Sequence, residues 1–292
     1  MFKLFYSFIY LITLLPLKVL YFVSDMLFPI VYYVIRYRRK AVRTNLIASF
    51  PEKTTAEILS IEKKFYHFFC DVFIEAMYRV NMSAEEVSRR VTFENVDSIH
   101  GLYIQNKSAM LMLAHYGNWE WVSSLALQLP DESPFYGVYK ELSNPEFDAM
   151  TYKLRLKYKM QNIEMRDLVK SMLRMSKNNQ KAVFAMVSDQ RPPKGDARFS
   201  MMFLNQPTAV IVGTEVLARK FNYPVLVLSI TRPKRGYYHC KIEMLCENPT
   251  LETEFSISEK YMKKLESDIH AHPELWLWTH KRWKHPITVS KV

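Results

Sequence analysis

The chain has 292 residues, 49% of them hydrophobic, enough to bury a large core in one domain with an appendage. Lysine and arginine together number 40 against 29 aspartates and glutamates, a formal charge of +11, so the natural partners are anionic: phospholipid headgroups, nucleic acid or an acidic carrier. Three cysteines, Cys70, Cys240 and Cys246, lack CxxC spacing, which argues against a disulfide framework and a paired-thiolate zinc site; neither GxGxxG nor GxxxxGKS/T occurs, so nucleotide binding has no support.

The opening run "MFKLFYSFIYLITLLPLKVLYFVSDMLFPIVYYVI" carries only Lys3, Lys18 and Asp25 as charges before the abrupt switch to "RYRRKAVR". The uncharged run from Leu4 to Leu17 is too short to span a bilayer alone, but a snorkelling Lys18 extends it through Phe22 toward the roughly 20 residues a span requires. Pro16 and Pro29 allow the alternative, two interfacial half-helices. Both a span and a monotopic anchor stay open, and residues 1–35 read as a membrane anchor in either case. No small-x-small site follows the apolar run, which argues against a cleaved signal peptide. Arg36, Arg38, Arg39, Lys40 and Arg43 form a juxtamembrane basic cluster, placing residues 36–292 on the cytoplasmic side by the positive-inside rule.

After Pro51, apolar residues recur at helical intervals (Ile58, Ile61, Phe65, Phe68, Phe69, Val72, Phe73), predicting a helix or helix pair. His67 and Asp71, four apart on it, have the spacing of metal ligands, but with no third ligand nearby they read as a surface or half-buried hydrogen-bonded pair. From residue 108 the texture changes to short apolar runs, "AMLMLA", "FYGVY", "AVFAMVS" and "PVLVLSI", alternating with helical patterns near 119–129, 145–160, 167–177 and 209–221. This is an α/β pattern. "VLVLSIT" and "YYHCKIEML", joined by "RPKRG", predict an antiparallel hairpin, so the sheet should be mixed, mostly parallel, and flanked by helices.

Within the first of these units, "AHYGNWEW" (114–121) places a histidine and a glutamate five residues apart. On one helix such residues lie about 140° apart and do not meet. Across a strand, a turn at Gly117 and a helix capped by Asn118, Glu120 can fold back onto the imidazole of His115. A carboxylate on one ring nitrogen fixes the tautomer and leaves the other free to take a proton from an incoming hydroxyl. With no GxSxG elbow and no cysteine close to the histidine in sequence, the nucleophile would be the substrate's own hydroxyl. The spacing alone equally permits a hydrogen-bonded turn in which Glu120 merely complements a helix dipole.

Five blocks together resemble the late acyltransferases of lipid A biosynthesis, a branch of the lysophospholipid acyltransferase superfamily, over nearly the whole chain. "RYRRKAVRTNLIASFPEKT" is similar to the segment that follows that family's anchor, and "HYGNWE" to the H-x4-D/E catalytic block in its glutamate form. "GVYKELSNPEFD" resembles the next block, "SDQRPPKG" with "FLNQPTAVIVGTEVLARKFNYPVLVLSI" the one that builds the substrate groove, and "HPELWLWTHKRWK" the terminal signature. The resemblance implies transfer of a fatty acyl chain from an acyl-carrier-protein or CoA thioester to a lipid hydroxyl, most simply of a lipid A precursor, without metal or cofactor, at the cytoplasmic face of the inner membrane. It assigns His115 as general base and Glu120 as its partner, with Asn118, Lys140, Asn144, Asp189, Gln190 and Arg191 as substrate-binding residues. Lys140 stands where the family usually has arginine, so it cannot offer a bidentate fork to a phosphate or an oxyanion. "SDQRPPKG" replaces the FPEGT-like block of the glycerolipid branch, which argues against simple glycerol-phosphate acylation. The rings and cations of "WLWTHKRWK" would also suit nucleic acid, but anchor and acyltransferase blocks account for the basicity better, and the expectation is an interfacial helix holding lipid headgroups. The same chemistry on an aminolipid, phospholipid or pigment lipid, and a non-catalytic membrane scaffold, are the rival readings.

Overall fold

Every side chain of Ala109–Leu113 is buried, and a run apolar on both faces is satisfied only inside a sheet covered on both sides. In the computed structural model, which describes residues 9–284 except 142 and 194, this segment is β2 of a seven-stranded sheet. The other strands are β1 (Val91–Glu94), β3 (Phe135–Tyr139), β4 (Gln161–Glu164), β5 (Val183–Val187), β8 (Val225–Lys234) and β9 (Tyr237–Cys246), in the order β1-β9-β8-β2-β5-β3-β4. All neighbours are parallel except the β8–β9 hairpin, so the sheet is mixed and mostly parallel, as its alternating texture predicts. β6 (Ser200–Phe203) and β7 (Gln206–Ala209) form a separate antiparallel pair. The edge strands β1 and β4 have only four residues each, too short to show a period in sequence.

α-Helices surround the strands, among them α1 (Leu17–Pro29), α2 (Arg39–Ser49), α3 (Thr55–Tyr78), α4 (Ala84–Arg90), α5 (Asp97–Ile104), α6 (Pro145–Leu156), α7 (Leu168–Lys177), α8 (Gly213–Phe221) and α9 (Ser256–Ala271). A capping box starts α3: the Thr54 hydroxyl accepts from the Glu57 N–H, and the Glu57 carboxylate accepts from the Thr54 N–H. The first eight residues, including Lys3 and the start of the run from Leu4, lie outside the described residues.

The amino-terminal apolar stretch does not stand apart from the rest of the chain. Leu17, Leu20, Tyr21, Ser24 and Phe28 are buried on one face of α1, and the chain continues through a π-helical stretch, Ile30–Ile35. The Tyr21 hydroxyl donates to Glu75 (2.6 Å) and Ser24 to Asp71 (2.7 Å), both on α3, while Asp25 pairs with Arg235 (2.6 Å). His67 and Asp71 take separate partners: the imidazole stacks on Phe28, and the Asp71 carboxylate accepts from Ser24, Arg232 and Arg235. Cys70, Cys240 and Cys246 are free and buried.

Candidate active site

β2 and β5 are parallel neighbours that end level, with Leu113 opposite Val187. Two residues beyond each lie His115 and Asp189, so strand register alone brings together side chains 74 positions apart. The site sits outside the carboxyl ends of parallel strands, where open α/β sheets place their ligands. His115 Nδ1 lies 2.8 Å from Asp189 Oδ1, and Asp189 Oδ2 accepts from the indole N–H of Trp276 at 2.9 Å. Because Asp189 stays ionised and can only accept, Nδ1 carries the proton and Nε2 the lone pair. The Gln190 amide nitrogen stands 3.2 Å from both ring nitrogens. Nδ1 is already donating, so Nε2 is the nitrogen that can accept from it.

Burial alone would lower the His115 pKa, but the charge and hydrogen bond of Asp189, with a smaller contribution from Glu120, raise it above the ordinary 6.5. Burial pushes the Asp189 carboxyl the opposite way, and His115 and Trp276 overcome it to hold the pKa below its usual 3.8. Asp189 is 2% exposed and the His115 side chain 23%, so the imidazole is partly open to its surroundings while the carboxylate is not.

The turn after His115 depends on Gly117, whose φ is +59° and whose missing Cβ would stand 2.6 Å from Ile230 Cγ2. Asn118 braces the turn that leads into the 3₁₀ segment Trp121–Gln128 by accepting from the Trp121 N–H at 3.2 Å, and its amide donates to Glu75 at 2.7 Å. With both ends engaged and 2% exposure, Asn118 holds the turn and has no face left for substrate.

Glu120 does not make the expected hydrogen bond to the imidazole. Its two oxygens accept from Arg79 (2.9 Å) and Arg155 (3.1 Å). The reason is that the chain past Gly117 enters a 3₁₀ turn against α3, aiming Glu120 at α3 and α6. Burial opposes its ionisation, but the two guanidiniums hold its pKa down at about 2. Arg79 is almost wholly buried, donates also to the Leu154 carbonyl, and keeps its Nε without a partner.

The other expected residues divide. Asp189 and Gln190 meet His115 directly. Arg191 follows them, half-buried, with Nη1 lacking a partner. Lys140 is exposed just past β3. Asn144 is the N-cap of α6, its side chain accepting from the Glu146 and Phe147 N–H groups. The terminal stretch is not an interfacial helix: Trp276 and Trp278 are 2% and 0% exposed, and residues 276–284 form extended chain and turns. It pairs with the turn that carries His115, Leu277 N–H to the His115 carbonyl at 3.0 Å and Gly117 N–H to the Leu275 carbonyl at 2.9 Å, and so delivers the Trp276 indole to Asp189.

Beside this centre lies a groove of about 540 Å³, walled by Phe65, Phe69, Val72 and Phe73 of α3, Phe147, Met150 and Leu154 of α6, and Leu275 and Leu277. Trp119, Glu120, Gln190 and Trp276 line it at the end nearest His115. A mostly apolar lining with a few polar groups suits an aliphatic chain bearing a polar head. Sequence reading missed Glu75, Arg79 and Arg155. For the first two a signal was visible, since they are charges one turn apart at the apolar carboxyl end and cap of α3; Arg155, beside Lys153 in the last turn of α6, offered none.

The family model for bacterial lipid A biosynthesis acyltransferases matches residues 2–285. The chain is 24% identical over 290 residues to the lipid A biosynthesis lauroyltransferase of Escherichia coli K12, covering 94% of this chain and 92% of that one. It is 22% identical over 280 residues to the palmitoleoyltransferase of the same organism and to a lipid A biosynthesis acyltransferase of Shigella flexneri, covering 95% of this chain and 89% of each. The chain belongs to the bacterial lipid A biosynthesis acyltransferase family.

Proposed function

We propose that the protein transfers a fatty acyl chain from an acyl-carrier-protein or CoA thioester to a hydroxyl of a lipid A precursor, with His115 as general base and Asp189 as the residue that orients it. The observation that carries this reading is the His115–Asp189 hydrogen bond at the end of the apolar groove. Nε2 takes the proton of the acceptor hydroxyl as its oxygen attacks the thioester carbonyl. The tetrahedral intermediate then collapses, the C–S bond breaks, and the leaving thiolate recovers the proton from the imidazolium. Asp189 stabilises that imidazolium without taking its proton. General-base assistance of this kind contributes about 10² to 10⁴ in rate, the rest coming from positioning and from stabilisation of the oxyanion.

Glu120 keeps its place in the site, in another capacity: its negative charge fixes Arg79 and Arg155 beside the groove and adds to the field on His115. The reaction so drawn calls on no metal or cofactor. Residues 1–35 serve as anchor and residues 36–292 as the acyltransferase domain, on the cytoplasmic side of the inner membrane, where thioester donor and lipid acceptor meet.

Mass spectrometry of lipid A and total lipids, from cells with and without the gene, identifies the acceptor. Loss of one acyl group from lipid A on deletion, restored by wild type and not by His115→Ala, is the expected result. Loss from an aminolipid, phospholipid or pigment lipid would keep the chemistry and change the acceptor. Full restoration by His115→Ala would overturn the mechanism.

A further inference from the structure

The stretch Leu17–Ile35 is long and apolar enough to cross a bilayer, yet its contacts do not permit a crossing. Tyr21 bonds to Glu75, Ser24 to Asp71, Phe28 stacks on His67 and Tyr32 packs edge-on against Tyr66, so the stretch lies antiparallel against α3 turn after turn. A crossing would carry that length of α3 into hydrocarbon together with Glu62, Lys63, Lys64, Asp71 and Glu75, of which Lys63 and Lys64 face outward. Asp25, next to the midpoint of the stretch and 47% exposed, would sit at the bilayer centre.

The outer face has the opposite character. Val19, Phe22, Val23, Met26 and Ile30 are all exposed, and Tyr33, Val34 and Ile35 extend the apolar surface. On the helical wheel Lys18 and Asp25 lie about 20° apart along one flank of that face, not across it. Beyond its carboxyl end, Arg36, Arg38 and Lys40 are exposed, supplying cations for anionic headgroups. Ile9 and Tyr37, on either side of the stretch, both line the acyl groove.

We infer that Leu17–Ile35 lies flat in one leaflet of an anionic phospholipid bilayer, apolar face inward, as a monotopic docking surface that sets the groove beside the lipid phase. This rests on the proposed membrane-bound reaction for its purpose but not for its geometry. The buried, free cysteines leave room for selective labelling at new surface cysteines. Spin labels are placed one at a time at Val19→Cys, Phe22→Cys, Met26→Cys, Ile30→Cys and Val34→Cys of the full chain, bound to vesicles of phosphatidylglycerol and phosphatidylethanolamine. Depth is read from relaxation by oxygen and by a nickel chelate. The expected result is similar shallow immersion at all five, about 5–10 Å into the headgroup and acyl boundary. A span would distribute Val19 and Val34 over roughly 20 Å of depth, with Met26 deepest, and that profile overturns the inference. Water-like accessibility at all five sites overturns it as well. Acyl transfer is assayed separately on the same vesicles: a flat profile without transfer leaves the docking and removes the chemistry.

Discussion

Replacing Asp189 by asparagine removes one charge and almost no volume, yet it leaves one of two buried donors without an acceptor. The carboxylate accepts two N–H bonds, from His115 Nδ1 and from the Trp276 indole. A carboxamide offers one oxygen and one NH₂, so it cannot accept from both. If the oxygen stays on the indole, which has no acceptor capacity of its own, the NH₂ faces Nδ1 and the imidazole must shift its proton to Nε2. The lone pair then points at the amide and the base is lost. The expected fall in kcat is about 10² to 10⁴, or roughly 3 to 5 kcal/mol in transition-state stabilisation.

The pH profile separates this account from a merely structural loss. In the wild type the imidazole must be neutral to act as base, and its pKa is raised, so the acid limb of kcat/KM lies above 6.5. Without the Asp189 charge the depression due to burial is no longer opposed to the same extent, and the residual activity should show its acid limb at lower pH. Steady-state rates with an acyl-carrier-protein thioester across the range from about pH 5 to about pH 9, with thermal melts of both proteins as a folding control, provide the assay. Wild-type kcat with an unmoved acid limb in a folded Asp189→Asn protein would refute the reasoning.

Glu120→Gln leaves the buried Arg79 without its anion, a loss on the order of 3–5 kcal/mol that thermal denaturation should register. Because the folded Glu120 pKa is depressed from 4.5 to about 2, its ionic contribution is complete above 4.5 and disappears as pH falls toward 2; the variant's stability should decline less over that interval. Gly117→Ala meets both a left-handed φ and the Ile230 side chain, so a destabilisation of about 1–3 kcal/mol and a misdirected His115 are expected, read by melting and by kcat; unchanged values in both would count against the turn geometry. Ala76→Phe fills part of the acyl groove and should move donor preference toward shorter chains in a competition assay, each excluded methylene weighing about 0.8 kcal/mol; an unaltered chain-length profile would exclude this groove as the acyl site.

The sequence discloses the parts of the fold that carry a period. β2, β3, β5 and the β8–β9 hairpin stand where short apolar runs predict them, and α6, α7 and α8 begin within a few residues of their helical patterns. The edge strands β1 and β4 escape because four residues contain two alternations at most. The orientation of α1 escapes for another reason: an outward-facing residue such as Phe22 and an inward-facing one such as Leu20 are equally apolar, and only Tyr21, Ser24 and Asp25 hint at a polar partner. His115 was legible as a candidate base because it follows a strand and precedes a glycine turn. Its partner was not, since Asp189 is next to it only through the register of β2 and β5.

The five-residue spacing of His115 and Glu120 acquires a different meaning from this register. A dyad closed within one turn would place acid and base on the same flexible piece of chain. Here the turn is held from outside at three positions: His115 by Asp189, Asn118 by Glu75, and Glu120 by Arg79. Glu75 and Arg79 are four apart on α3, one helical turn, while Asn118 and Glu120 are two apart on the turn. One helix and its carboxyl cap thus hold two positions of the His115 turn with one buried acid and one buried arginine. The spacing therefore fixes the direction of the imidazole through α3, and the contact that sets its tautomer comes from β5. Mutating either end of the Arg79–Glu120 pair should disturb the placement of His115, as a loss of kcat with the acid limb shifted less than in Asp189→Asn, because Glu120 acts on the imidazole across space and Asp189 acts on it directly.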